Sequence, residues 1–133
     1  MTTIIEARSF TIDLPEAGHA RPVIDGITLD VAAGSCLGIV GESGSGKSLF
    51  SRALLGSFPE GAEVSGTLRL GAVELTSAAP ETVRALRQND VGMIYQDPRA
   101  SINPVHRIED FLIEGVVQAG MLSRSEARER AIA

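Results

Sequence analysis

The apolar positions of this chain fall in short runs with two kinds of spacing. Over 2–12, Ile, Phe and Thr mix with polar residues, the signature of a strand with one face on a core. Residues 23–31 carry a similar pattern through Val23, Ile27, Leu29 and Val31, and end at the Ala33-Gly34 turn. Between these two strands, 15–22 holds Pro15, Gly18 and Pro22 and predicts a turn or loop. Residues 37–40 form a compact apolar run bounded by glycines, the pattern of a strand buried on both faces. Residues 91–95 predict another buried strand, and 67–75 alternate across Gly71, which predicts a hairpin.

Helical spacing follows three of these strands. Leu49, Ala53 and Leu54 share a face in a segment that stops near Gly56. A short helix is expected over 80–86, after the loop at 59–66 and the predicted hairpin. Pro98 and Pro104 bound an irregular stretch. A further helix is expected over 108–117, with Ile108, Phe111, Leu112 and Val116 on one face and Gly120 as its stop. Ser123 with Glu126 three residues on predicts a capping box opening a last helix, which reaches the final residue without a stop signal.

Composition narrows the picture. The chain has 133 residues, 44% hydrophobic and 22% charged, which suits one folded domain. Aromatics are 4% with no Trp, so the core must be aliphatic. A formal net charge of −5 argues against nucleic acid as the main partner. The lone Cys36 has no partner for an internal disulfide, and before an expected buried strand it is assigned to inert packing. The first residues do not form a signal peptide, and no stretch approaches the ~20 apolar residues of a membrane span. Any membrane role must therefore come through a partner.

The candidate chemistry lies between the 37–40 run and the helix after it. Gly41, Glu42, Ser43, Gly44, Ser45, Gly46, Lys47 and Ser48 match G-x-x-x-x-G-K-S/T. Glycines let the backbone curl so that its N–H groups face one hollow. Those donors and the following helix start hold phosphate oxygens. Lys47 brings a positive charge to the outer phosphates, and Ser48 offers a hydroxyl to Mg²⁺. The motif predicts ATP binding with Mg²⁺, but by itself it does not choose among kinases, GTPases, helicases and transport ATPases.

A second segment chooses. Residues 37–48 resemble the P-loop of ABC transporter ATPases, most closely the oligopeptide, dipeptide and nickel importer branch. Val91-Gly92-Met93-Ile94-Tyr95-Gln96-Asp97-Pro98 resembles that family's Q-loop strand. Ala100-Ser101-Ile102-Asn103-Pro104 resembles the branch's S-L-N-P element, with Ile102 in place of Leu. The resemblance covers nearly the whole chain. It implies that Gln96 reaches the Mg²⁺ or the attacking water, so that Lys47 and Gln96 are the catalytic candidates and Ser48 and Gln96 the metal contacts. It also places Phe10 where the family keeps an aromatic that stacks on adenine, against the alternative of ordinary core at a strand end. Tyr95 is expected to pack in the core, and neither His19 nor His106 has metal-ligand spacing.

The resemblance further implies transmembrane permease subunits as partners. It implies a second ATPase subunit in a head-to-tail dimer, and a peripheral position on the cytoplasmic face of the membrane. Ile102, Val105, Ile108 and Phe111 are candidates for the docking groove, with Arg99 and Arg107 at its rim; packing within the helical subdomain is the preferred alternative for Ile108 and Phe111. The chain departs from the family in carrying no L-S-G-G-Q signature, no four-apolar-residue run followed by Asp-Glu, and no switch His after it. The expected fold class is therefore α/β: a P-loop NTPase core with an N-terminal antiparallel β portion and the start of a helical subdomain, truncated. Residues 1–133 would be the N-terminal part of a nucleotide-binding domain, inactive alone, poorly soluble or self-associated, from a parent ATPase that imports peptides or a related small solute. Two alternatives stay open: a nucleotide-binding fragment without catalysis, and a P-loop small-molecule kinase. The Tyr95-Gln96-Asp97-Pro98 element argues against the kinase.

Overall fold

The computed structural model describes residues 2–16, 19–97 and 102–132. The chain divides into two compact units, Met1–Arg87 and Gln88–Ala133. Together they give a mixed α/β protein with an antiparallel sheet.

The first unit is built on β1 (Thr3–Glu16) and β2 (His19–Ala32), paired antiparallel. β3 (Glu63–Leu70) joins the other side of β1, and β4 (Val73–Glu74) folds back on β3, giving the order β2-β1-β3-β4. The β3–β4 hairpin turns at Gly71 in the left-handed region (φ 57°), as the alternation across that glycine predicts. The expected loop at 15–22 is narrower than its two prolines suggest. Pro15 pairs with Ala20 and Asp13 with Pro22, so both strands run through the prolines. Pro15 lies past Asp13, the last β1 residue paired with β3, and Pro22 lies on the edge strand β2, so each proline has a strand on one side only and its missing N–H interrupts no second ladder.

A bulge in β1 sets which side chains enter the core. Arg8 pairs with Thr67 but Thr11 with Ser65, so β1 carries one more residue than β3 across this step. Ser9 takes φ 45°, and its N–H donates to Thr28 Oγ1 at 3.0 Å. The extra residue changes the parity of the strand. Ala7 before it and Phe10 and Ile12 after it are all buried, whereas strict alternation would put Ala7 and Phe10 on opposite faces. The Phe10 ring meets Phe50 of α1 (Lys47–Ala53) with centroids 6.2 Å apart and planes at 57°. Ile24, Val31, Ala53, Leu68, Leu75 and two residues of α2 (Pro80–Asn89), Val83 and Leu86, complete the buried set of this unit among the described residues. Gly56 closes α1 at φ 64° beside Val83, where an added Cβ would lie 2.9 Å from Val83 Cγ1. Arg87 Nε donates to the Leu55 carbonyl at 2.7 Å, satisfying an acceptor just past that helix end.

The second unit holds α3 (Ile108–Gln118) and α4 (Arg124–Ile132). Ile113 and Ala127 are its buried residues, and Arg128 Nε pairs with Glu109 Oε1 at 2.8 Å between the helices. Arg124 pairs with Asp110 alongside. The capping box forms as the spacing predicts: Ser123 N–H donates to Glu126 Oε2 at 2.9 Å, and Glu126 N–H donates to Ser123 Oγ at 3.3 Å. The face expected for α3 is not the buried one, because Ile108, Phe111 and Leu112 are exposed.

Two further expectations are corrected. Residues 37–40 and 91–95 form no strand, and neither run is buried, with Val40 at 93% and Ile94 at 99% exposure. A strand needs a hydrogen-bonded neighbour, and among the described residues no strand pairs with either run. With neither run forming a core strand, Cys36 and Tyr95 are exposed rather than packed.

Candidate functional site

The glycine-rich turn of 41–48 rests on β2. Gly44 (φ 84°) and Gly46 (φ 85°) both adopt left-handed backbone, a conformation costly to residues with a side chain. Ser45 N–H closes a turn to the Glu42 carbonyl at 3.3 Å. Gly46 also faces a close approach, since an added Cβ would lie 2.8 Å from the Val23 carbonyl oxygen and 3.4 Å from Ile24 Cγ1. The loop therefore follows a glycine-only path against the second strand. Val23 is a supporting position the motif does not reveal, because its contribution is a backbone carbonyl and leaves no residue-type signal.

Gly46 is the N-cap of α1 and offers no side-chain cap. The first helical bond runs from Phe50 N–H to the Gly46 carbonyl at 2.8 Å, so the N–H groups of Lys47, Ser48 and Leu49 have no intrahelical acceptor. No acidic side chain sits in the first turn to compete for them. Lys47 folds back over the loop. Its ammonium donates to the Gly41 carbonyl at 2.8 Å, to the Glu42 carbonyl, and to Ser45 Oγ at 3.2 Å. A cation, free helix-start donors and left-handed glycines thus converge on one exposed turn, which suits a phosphate-bearing ligand.

The fit to Mg²⁺ is narrower. Among the described residues no three His, Cys, Asp or Glu side chains gather to hold a metal. Ser48, exposed at the helix start, supplies one hydroxyl. The residues present therefore suit Mg²⁺ carried largely by phosphate oxygens and water, with Ser48 as one protein ligand.

The other predicted residues fall into place unevenly. Phe10 is fully buried, and one neighbour is the Phe50 ring, so it fills the core role named beside stacking and offers no open face to a base in this structure. Gln96 lies at an exposed bend of the second unit. Pro98, Arg99, Ala100 and Ser101 lie outside the described residues. Ile102 is half-buried and Val105 exposed, and Ile108 and Phe111, for which packing is the preferred alternative, are exposed as well. Asn103 shapes the turn before α3: its Oδ1 accepts from Val105 N–H at 3.0 Å, and its carbonyl accepts from His106 N–H at 3.1 Å. Among the described residues no helix is long and apolar enough to cross a membrane.

Comparison with known proteins agrees with the loop chemistry. The family model described as ABC transporter matches residues 24–132. The chain is 32% identical over 133 residues to the oligopeptide transport ATP-binding protein OppD of Mycobacterium tuberculosis, covering 99% of this chain and 22% of that protein. It is 38% identical over 137 residues to the di/tripeptide transport ATP-binding protein DppF of Pseudomonas aeruginosa, covering 98% of this chain and 41% of the relative. With the oligopeptide transport ATP-binding protein OppF of Escherichia coli it shares 41% identity over 108 residues, covering 80% of this chain and 31% of the relative. The chain thus spans well under half the length of these relatives.

Proposed function

The chain belongs to the ABC transporter family, and on that premise we propose that it is the N-terminal part of a nucleotide-binding domain whose parent couples ATP hydrolysis to uptake of peptides or a related small solute. The observation that carries this reading is the Lys47 ammonium folded over the Gly44–Gly46 turn at the start of α1. The names of the relatives, all peptide transport ATP-binding proteins, support the solute class.

In this reading the phosphates lie on the free N–H groups at the start of α1, and Lys47 exchanges an internal acceptor for a phosphate oxygen. Ser48 contributes its hydroxyl to Mg²⁺. The ion, when bound, neutralises phosphate charge and draws electron density from the bond that breaks. Gln96, on its exposed bend, is assigned to the Mg²⁺ or the attacking water and to sensing the permease. Permease subunits and a second ATPase subunit, arranged head to tail, are the proposed partners at the cytoplasmic face of the membrane. Nucleic acid is not, given the net charge of −5.

A second reading, nucleotide binding without turnover, is favoured by one observation: the residues present include neither the signature nor the Asp-Glu pair that would supply a catalytic base. A hydrolysis assay on this chain separates the two. The test common to both is Lys47→Ala. Losing charge-assisted bonds to phosphate should weaken MgATP binding by about tenfold to a hundredfold. Calorimetry on folded samples measures it, and equal affinities would remove the phosphate-cradle assignment.

A further inference from the structure

We infer that Ser45 is a latch on Lys47: its hydroxyl holds the lysine ammonium across the loop and is the acceptor that an incoming nucleotide phosphate replaces. The inference rests on the phosphate-cradle reading and adds a role for a residue whose identity the loop motif leaves open.

An ammonium has three N–H donors. In Lys47 they meet three acceptors, the Gly41 carbonyl at 2.8 Å, the Glu42 carbonyl, and Ser45 Oγ at 3.2 Å. A phosphate oxygen can therefore bond to Nζ only by displacing one of them. The two carbonyls belong to the backbone of a turn fixed by left-handed Gly44 and Gly46, with Gly46 against the Val23 carbonyl. Withdrawing either carbonyl would refold the loop. The Ser45 hydroxyl hangs on a single rotatable bond, lies in an exposed residue, and makes the longest of the three contacts. It is the acceptor that yields at least cost, and water receives it when it turns away.

Gly41 keeps room for this arrangement. A Cβ added there would stand 2.7 Å from Ser45 Oγ and 3.9 Å from Lys47 Cδ, so the hydroxyl and the lysine stem lie side by side over a bare glycine. Because the Ser45–Lys47 bond would be surrendered on binding, it opposes ligand affinity. The ligand class is any nucleoside di- or triphosphate whose terminal phosphates reach Nζ.

Calorimetry with MgATP on the full chain, its Ser45→Ala, Ser45→Thr and Lys47→Ala variants, and the Ser45→Ala/Lys47→Ala pair, tests the latch. Ser45→Ala should tighten binding by about two- to tenfold, the scale of one partly exposed hydrogen bond. Ser45→Thr, which keeps the hydroxyl, should not show that gain, and the gain should vanish when Lys47 is already Ala. In the absence of nucleotide, an amine-directed reagent should modify Lys47 faster in Ser45→Ala than in Ser45→Thr, a difference that a merely structural serine would not produce. Unchanged or weaker binding by Ser45→Ala overturns the latch, as does a gain that survives in the Lys47→Ala background. Unaltered MgATP affinity in Lys47→Ala alone would instead remove the phosphate-cradle reading, a separate failure.

Discussion

The strands β1 and β3 and the runs at 37–40 and 91–95 all carry apolar side chains, yet these end in opposite environments. Ala7, Phe10, Ile12 and Leu68 have no solvent exposure, while Val40 and Ile94 are almost fully open. Hydrophobicity does not separate them. The difference is the neighbour. β1 pairs antiparallel with β2 on one side and with β3 on the other, so much of the central strand's backbone finds a partner within the unit. The two exposed runs are flanked by no strand among the described residues. An apolar run becomes a strand where a ladder is available, and otherwise its side chains have nothing to pack against.

The largest effect that tests this comparison is a pair of truncations. Leu68→Ala removes a fully buried side chain and should cost roughly 2–5 kcal/mol. Ile94→Ala removes the same kind of bulk from an exposed site and should stay within about 0.5 kcal/mol. Urea denaturation monitored by circular dichroism measures both. Similar losses would mean that 91–95 is packed in solution, and the contrast between the two regions would collapse.

A smaller effect sharpens the account of the paired region. Gly66 and Gly71 both have positive φ, at 73° and 57°. A Cβ on Gly71 meets nothing within 4 Å, so Gly71→Ala should cost only the left-handed backbone term, about 1–2 kcal/mol. On Gly66 the same atom would stand 2.2 Å from the Ser9 carbonyl oxygen, inside the bulge that turns Phe10 into the core. Gly66→Ala should therefore cost clearly more than Gly71→Ala in the same denaturation experiment. Equal costs would show that the bulge relaxes freely and does not fix the core face of β1.

What the sequence disclosed divides along the same line. The glycine-rich turn, the Gly71 hairpin and the Ser123–Glu126 box depend on residues a few positions apart, and each has the form its spacing predicts. The fate of 37–40 and 91–95 depends on distant partners, which periodicity does not report. Helix α3 shows the intermediate case. Its spacing favours a face through Ile108, Phe111 and Leu112, but the buried residue is Ile113. The ion pairs of Asp110 with Arg124 and Glu109 with Arg128 lie three and four positions before Ile113, on the same side of the helix. Docking α4 there, with Ala127 as the small contact, selects the buried face. The lysine latch was equally hidden, since a serine among serines and glycines carries no mark of what its hydroxyl touches.

The smallest expected effect concerns α4, where local order owes more to one carboxylate than to burial. Glu126 is held below its usual range because the Ser123 hydroxyl donates to the carboxylate and the Ser123 backbone N–H adds a second bond. The folded form thus favours the ionised carboxylate. Its contribution is fully present above the ordinary glutamate range and is lost as pH falls through the lowered folded value. Acidification should therefore loosen the first turn of α4 in that window, read as movement of the Ser123 and Glu126 amide resonances toward unstructured values. Glu126→Gln keeps the side chain's shape and a neutral acceptor, so it should leave the turn weaker at neutral pH but insensitive to acid. The exposed site makes the effect small, and salt should change it little, because the dominant interaction is a pair of short hydrogen bonds rather than a distant charge. A first turn that keeps its amide shifts down to the most acidic conditions would show that the hydroxyl bond of Glu126 to Ser123 does not hold α4. The helix start would then depend on the pairing of Arg124 with Asp110, and Arg124→Ala would become the substitution that loosens it.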